Sequence, residues 1–183
     1  VQLAVSRDGV TWSRPDRRPY IGIDASGPAS RMIYSAQGLV MRGDRVLQYY
    51  TAYDQSHGHK RDNNPGGQIR WTEQRLDGFV SVDAAYGGGE LLTKPFTFDG
   101  DRLELNIDAS ASGEARVELQ DLEGHALEGH RITDCDRVMG NHIRRIVTWG
   151  GDSQIAASRG APIRLRVAMR GTKLYALRFT GGD

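Results

Sequence analysis

Apolar residues in this chain recur mostly at every second position. Between Pro162 and Phe179 the sequence reads P-I-R-L-R-V-A-M-R-G-T-K-L-Y-A-L-R-F. Ile163, Leu165, Val167 and Met169 fall on one side of that period, and Arg164, Arg166 and Ala168 on the other. Successive side chains of a strand point to opposite faces, so this pattern predicts a strand with one face in a core and one in water. Gly171 and Thr172 predict a tight reversal. Lys173 to Phe179 predict a returning strand with Tyr175, Leu177 and Phe179 on one face. A hairpin alone is marginal, so other strands must lie beside it and a second layer behind it.

The same alternation recurs upstream. Arg102 to Asp108 places Leu103, Leu105 and Ile107 inward, and Ala115 to Gln120 places Val117 and Leu119 inward. Arg144 to Trp149 places Ile146 inward together with either Val147 or Trp149. Met32 to Met41, Val46 to Tyr53 and Gln68 to Leu76 read as strands, with a turn at Arg42 to Arg45 and a long polar loop from Asp54 to Gly67. Val1 to Val5 reads as a short strand. Asp8-Gly9 follows as a turn in which Asp8 bonds its own backbone two residues on. Ser153 to Ser158 admits one helical turn or an irregular loop. No longer stretch keeps a helical period. The expectation is an all-β chain, a sandwich or barrel of short strands divided by Gly-Asp turns. Gly87-Gly88-Gly89 marks a seam between two parts, residues 1–83 and 90–181.

Charge and composition narrow the partners. The formal net charge is +1, which gives no global field for nucleic acid or a membrane surface. No apolar run reaches membrane-spanning length, and no glycine motif that cradles phosphate opens a helix. The single cysteine, Cys135, excludes an intrachain disulfide and a cysteine-based zinc cluster. It reads as a small buried hydrophobe rather than a nucleophile. The first residues lack a signal-peptide pattern and begin as if cut from a longer polypeptide.

Several stretches carry a family resemblance. L-A-V-S-R-D-G-V-T-W at the start resembles the outer strands of blades in five-bladed β-propeller glycosidases and their relatives. M-I-Y-S-A-Q-G-L-V, L-Q-Y-Y-T-A-Y-D and I-R-W-T-E-Q-R-L-D-G-F-V-S-V-D resemble the last blade of such proteins and its exit. L-L-T-K-P-F-T-F, L-E-L-N-I-D-A-S, R-V-E-L-Q-D-L-E-G, R-R-I-V-T-W-G-G and the final alternating stretch resemble the jelly-roll β-sandwich that often follows the propeller. The resemblance implies a propeller-blade-like segment over 1–83 and a carbohydrate-binding-module-like jelly roll over 90–181. It implies upstream catalytic blades in a longer parent chain, outside the cell or in the periplasm. Ser6 to Trp12 departs from the sialidase Asp-box, being one residue short between the Asp and the Gly, and is read as a blade turn.

Each candidate chemistry has a plainer counterpart. Glycoside hydrolysis needs two carboxyls roughly 5–10 Å apart across a cleft. The acidic residues that such a reading can recruit are Asp8, Asp54, Glu73 and Asp77, of which Asp8 and Asp77 precede turn glycines. His57-Gly58-His59 with Asp54 and Asp62 offers metal ligands on a flexible loop, a weak signal. Asp99, Asp101, Asp108, Asp134 and Asp136 are oxygen donors on turns. Jelly-roll sugar-binding domains often carry structural Ca2+, which takes six to eight such donors. Aromatic faces that can bind sugar are Tyr34, Tyr49, Tyr50, Tyr53, Trp71, Tyr86 and Trp149, with core packing as the alternative for most. From these sets the ligand-binding residues are taken as Tyr53, Asp54, His57 and Trp71, with no catalytic residue. Arg144, Arg164, Arg166 and Arg178 form either a basic stripe or cross-strand pairs with Glu104, Asp108 and Glu118. Three functions compete: a non-catalytic carbohydrate-binding portion of a glycoside hydrolase, a purely structural sandwich that closes a propeller, and a glycosidase active only when assembled with other chains. Open strand edges in the first part give a route to a homo-oligomer.

Overall fold

A computed structural model of the chain describes residues 1–24, 27, 31–58 and 67–181. The described residues are all-β, with every ladder antiparallel and one 3-10 turn at Ala156–Ser158. None of the described helices is long and apolar enough to cross a membrane. The chain divides into two compact units, Val1–Phe79 and Val80–Asp183.

The first unit is built on four strands: β1 (Met32–Ser35), β2 (Val40–Arg42), β3 (Arg45–Tyr53) and β4 (Gln68–Arg75). The long, aromatic-rich β3 is central. β4 runs along one edge of it, from Arg45↔Arg75 to Ala52↔Gln68. β1 and β2 share the other edge, at Met32↔Tyr53 to Ser35↔Tyr50 and at Val40↔Leu47 to Arg42↔Arg45. The stretch from Met32 to Met41, expected as one strand, is therefore broken in two around Gly38. The turn from Arg42 to Arg45 forms as expected. Gly43 there has φ 58°, the positive value that two-residue hairpin turns favour.

At the N-terminus Val5 pairs with Ser13 by two backbone hydrogen bonds of 2.8 and 2.9 Å, and the Val1 ammonium donates to the Ile21 carbonyl at 3.0 Å. The turn between Val5 and Ser13 is the one the sequence predicts. Asp8 Oδ1 accepts from the N–H groups of Val10 and Thr11 and from the Ser6 hydroxyl. Three donors hold the carboxylate in its charged form, so its pKa lies well below the usual range.

The second unit has seven strands: β5 (Val82–Ala84), β6 (Gly89–Leu92), β7 (Arg102–Asp108), β8 (Glu114–Gln120), β9 (Asn141–Ile146), β10 (Arg164–Arg170) and β11 (Thr172–Thr180). They form two sheets in the orders β6-β10-β8 and β5-β11-β7-β9. Because β5 pairs with β11, the residues just before the three glycines belong to this unit. One core serves both sheets. Leu103, Leu105 and Ile107 of β7 meet Val117 and Leu119 of β8 and Leu165 and Val167 of β10, all at 0% exposure.

Two expectations about the final stretch are corrected. β10 and β11 do not form a hairpin: β10 pairs with β6 and β8, and β11 with β5 and β7. Gly171 alone separates them, too short a link for a two-residue hairpin turn, so the chain passes from one sheet to the other. On β11 the expected facing is also reset. A register shift between Leu174 and Ala176 lets Leu174 join Leu177 and Phe179 at the core, which strict alternation forbids. Ile146 is the third correction: it is exposed, while Val147 and Trp149 are both buried.

The outer edge of β8 is closed by side chains rather than by a strand at Val117. The Val117 N–H donates to Cys135 Sγ at 3.2 Å, and Trp149 Nε1 donates to the Val117 carbonyl at 2.9 Å. Satisfying these groups removes an edge that could template pairing with another chain.

Candidate functional site

The two faces of the first sheet differ. Alternation puts Tyr49, Thr51 and Tyr53 of β3 on one face and Gln48, Tyr50 and Ala52 on the other. The second face is covered. Tyr20 Oη donates to Gln74 Oε1 at 2.9 Å, its ring packs against Phe79, and Ala52 has 0% exposure. Burial raises the Tyr20 pKa.

The first face is open and aromatic. Trp71 of β4 lies opposite Tyr49 in the ladder, with ring centroids 6.3 Å apart and planes tilted by 48°. Trp71 is 59% exposed and Tyr49 40%. Ile69, two positions before Trp71 on the same face, is also exposed. Tyr34 of β1 lies opposite Thr51 and meets Tyr53 edge-on, at 6.1 Å and 79°. Tyr53 in turn lies over Gly67, where a Cβ would come within 2.7 Å of its ring. The aromatic groups thus cross β1, β3 and β4, a span of roughly 10 Å between the outer strands.

His57 joins this face through a 3.0 Å hydrogen bond between its Nδ1 and the Tyr34 hydroxyl. Asp54 follows directly on β3 and is exposed. Of the four residues taken from sequence, Tyr53 and His57 are therefore linked through Tyr34, and Trp71 lies further along the same face. Tyr34, Tyr49 and Ile69 complete the surface. The two tyrosines stood among the aromatic candidates, and the alternation of Ile69 with Trp71 was the available signal for the third. His59 and Asp62, the other members of the metal reading, lie outside the described residues.

The remaining carboxylates have structural employment. Asp8 holds its turn, Glu73 lies 3.6 Å from Arg45, and Asp77 sits at φ 55° in the turn after β4. Among the described residues no group of three or more His, Cys, Asp or Glu is arranged to hold a metal ion. The aspartates considered for calcium have other contacts. Asp99 and Asp101 face Arg159, Asp108 accepts from the Ser110 N–H, Asp134 accepts from the Thr133 hydroxyl, and Asp136 accepts from Thr148 and from the Gly151 N–H.

Of the four arginines considered for a basic stripe, Arg166 and Arg178 pair across strands. Arg178 contacts Glu104, its ladder partner, at 2.6 Å, and Arg166 contacts Glu90 at 2.6 Å and Glu118 at 3.6 Å. Trp149 is buried and Tyr86 is exposed. Compared with known proteins, the chain matches no family model, no curated sequence and no solved structure.

Proposed function

We propose that this chain is a non-catalytic portion of a glycoside-hydrolase-like protein and binds carbohydrate on the open face of β1, β3 and β4. In this reading the first unit is the last part of a propeller, the second is a jelly-roll sandwich, and the parent protein works outside the cytoplasm on polysaccharide. The observation that carries it is the exposed aromatic row of Tyr34, Tyr49 and Trp71. A sugar ring has an apolar C–H face and a rim of hydroxyls. Exposed aromatic faces take the first, and polar groups such as His57 and Asp54 take the second. A contiguous exposed apolar patch of this kind marks an interaction surface.

The same arrangement supports recognition rather than hydrolysis. Asp8, Glu73 and Asp77 are held in turns or opposite Arg45, so they are poor candidates for a proton donor and a nucleophile. A glycan array probed with the whole chain tests the reading. Binding to a set of related neutral glycans, lost in Trp71→Ala, supports it. Turnover of aryl-glycosides that disappears on substituting Asp54 or Glu73 contradicts it.

A second reading is supported for Val80–Asp183: a structural sandwich. Its sheet faces carry self-paired charges, at Arg166 with Glu90 and Arg178 with Glu104. Such faces offer few free groups to a ligand.

A further inference from the structure

We propose a second carbohydrate site at one end of the second unit, shaped for a single neutral sugar ring. It does not rest on the aromatic face of the first unit. The connections after β5, after β7 and between β10 and β11 meet there around a cleft of about 430 Å3. Asp83, Tyr86, Asp108, Ser110, Thr172 and Lys173 line it.

Tyr86 is the platform. Its ring lies against Gly171, where a Cβ would come within 2.7 Å of the ring. Gly171 also has φ 56°, a value that other residues adopt only under strain. The far end of the ring is held as well, by a 3.0 Å hydrogen bond between the Tyr86 and Ser112 hydroxyls. An aromatic side chain fixed at its back and tip, yet 61% exposed, presents a preorganised flat face. Core packing does not explain an exposed ring held in this way.

The polar lining selects the ligand. Asp108 Oδ1 accepts from the Ser110 N–H at 2.9 Å. A carboxylate has about four acceptor positions, so it can also receive sugar hydroxyls. Lys173 Nζ donates to Asp83 at 2.6 Å, and the ammonium has two further donors. Two carboxylates and one ammonium leave the cleft negative. Uronates, sulfates and phosphates are therefore disfavoured, whereas a neutral ring with adjacent hydroxyls can both donate to Asp108 and accept from Lys173. The volume lies at the lower end of the range for small-molecule sites and suits one ring rather than a chain of them.

Saturation-transfer NMR on the whole chain tests this site. The probes are the methyl glycosides of glucose, galactose, mannose and xylose, with methyl glucuronide and tetramethylammonium as charged controls. At least one neutral glycoside binds the chain carrying Trp71→Ala, which disables the first-unit face, and adding Tyr86→Ala or Asp108→Asn to that chain weakens this binding by about tenfold or more. Thermal melts establish that each variant is folded. If Tyr86→Ala is not, Asp108→Asn decides the question. Absence of any neutral binder, binding that ignores both substitutions, or preference for either charged control overturns the proposal. Loss on Trp71→Ala alone assigns the binding to the first unit and overturns it as well.

Discussion

Met169 and Leu174 are close in sequence, each 4% exposed, and lie in different sheets: Met169 opposite Ala115 and Leu174 opposite Ile107. The strand pair that closes the chain is thus an arch over the core rather than a hairpin beside it. Each limb is zipped to its own neighbours, so the stretch ties the two layers of the second unit together.

Leu165 and Arg166 test the facing of that arch. Leu165 has 0% exposure, and Leu165→Ala is expected to cost about 2–5 kcal/mol through the cavity it leaves. The Arg166 side chain is 35% exposed and is paired with Glu90 and Glu118. Glu118 is buried, but it keeps the Gln120 amide at 2.7 Å and the Ile132 N–H at 2.9 Å as donors. Arg166→Ala should therefore cost about 1 kcal/mol. Equal losses in urea melts would mean that the ion pair carries more of the stability than its exposure allows.

The pairs on the second unit also set a pH profile. Lys173 lowers the pKa of Asp83, Arg166 that of Glu90 and Arg137 that of Glu114, in each case chiefly through a hydrogen bond. A carboxylate with a depressed folded pKa stabilises the fold above its unfolded value, near pH 4, and this contribution is lost as pH falls through the folded value. Lys173, whose pKa is raised by Asp83, acts oppositely: its contribution is lost above about pH 10. Melting temperature should be flat between about pH 5 and 8 and fall on both sides, with the buried Cys135 thiol adding to the alkaline limb above its unfolded value of about 8.5. In Glu90→Gln the acid limb should be shallower; an unchanged limb would remove Glu90 from the account.

Cys135 is expected to be chemically quiet. Its thiol is 2% exposed, burial raises its pKa, and its sulfur accepts from the Val117 N–H. A disulfide-exchange reagent should modify it only in denaturant, since the thiolate is the nucleophile. Rapid modification of the native chain would contradict the placement of the thiol at the edge of β8.

The second unit should fold without the first. A fragment covering Val80–Asp183 contains its whole core, from Phe98 to Leu174, and should melt cooperatively as a monomer. The fragment Val1–Phe79 buries far fewer apolar residues, chiefly Ile21, Val46, Leu47 and Ala52. It should aggregate or remain unfolded alone. A cooperative, monomeric melt of that shorter fragment would show that its sheet needs less support than its small core suggests.

Much of the second unit was legible in the sequence because its strands have one buried and one wet face. Leu103, Leu105 and Ile107, then Val117 and Leu119, then Leu165 and Val167 can be read off directly, since a slip by one residue would expose all of them. The partners of β10 and β11 were not legible. Alternation tells which side of a strand faces in but not which strand lies next to it, and a glycine between two strands suits an arch as well as a hairpin. The bulge at Tyr175 was hidden for a related reason: both sides of β11 are fairly apolar, so either register looks acceptable. In the first unit the aromatic residues of β3 were visible, but not which of them are covered. That depends on Tyr20 and Phe79, which are distant from β3 in sequence.

The most direct test of the central claim is a calorimetric titration of the whole chain with the neutral oligosaccharide that a glycan array selects. It compares wild type with Trp71→Ala and Tyr34→Ala on the open face and with Thr72→Ala on the opposite one. The account predicts that Trp71→Ala and Tyr34→Ala each weaken binding by about tenfold or more, roughly 1.4 kcal/mol, while Thr72→Ala changes it by less than about twofold. Affinity that survives both aromatic substitutions, or falls equally on the two faces, would show that the exposed row is not a sugar-binding surface.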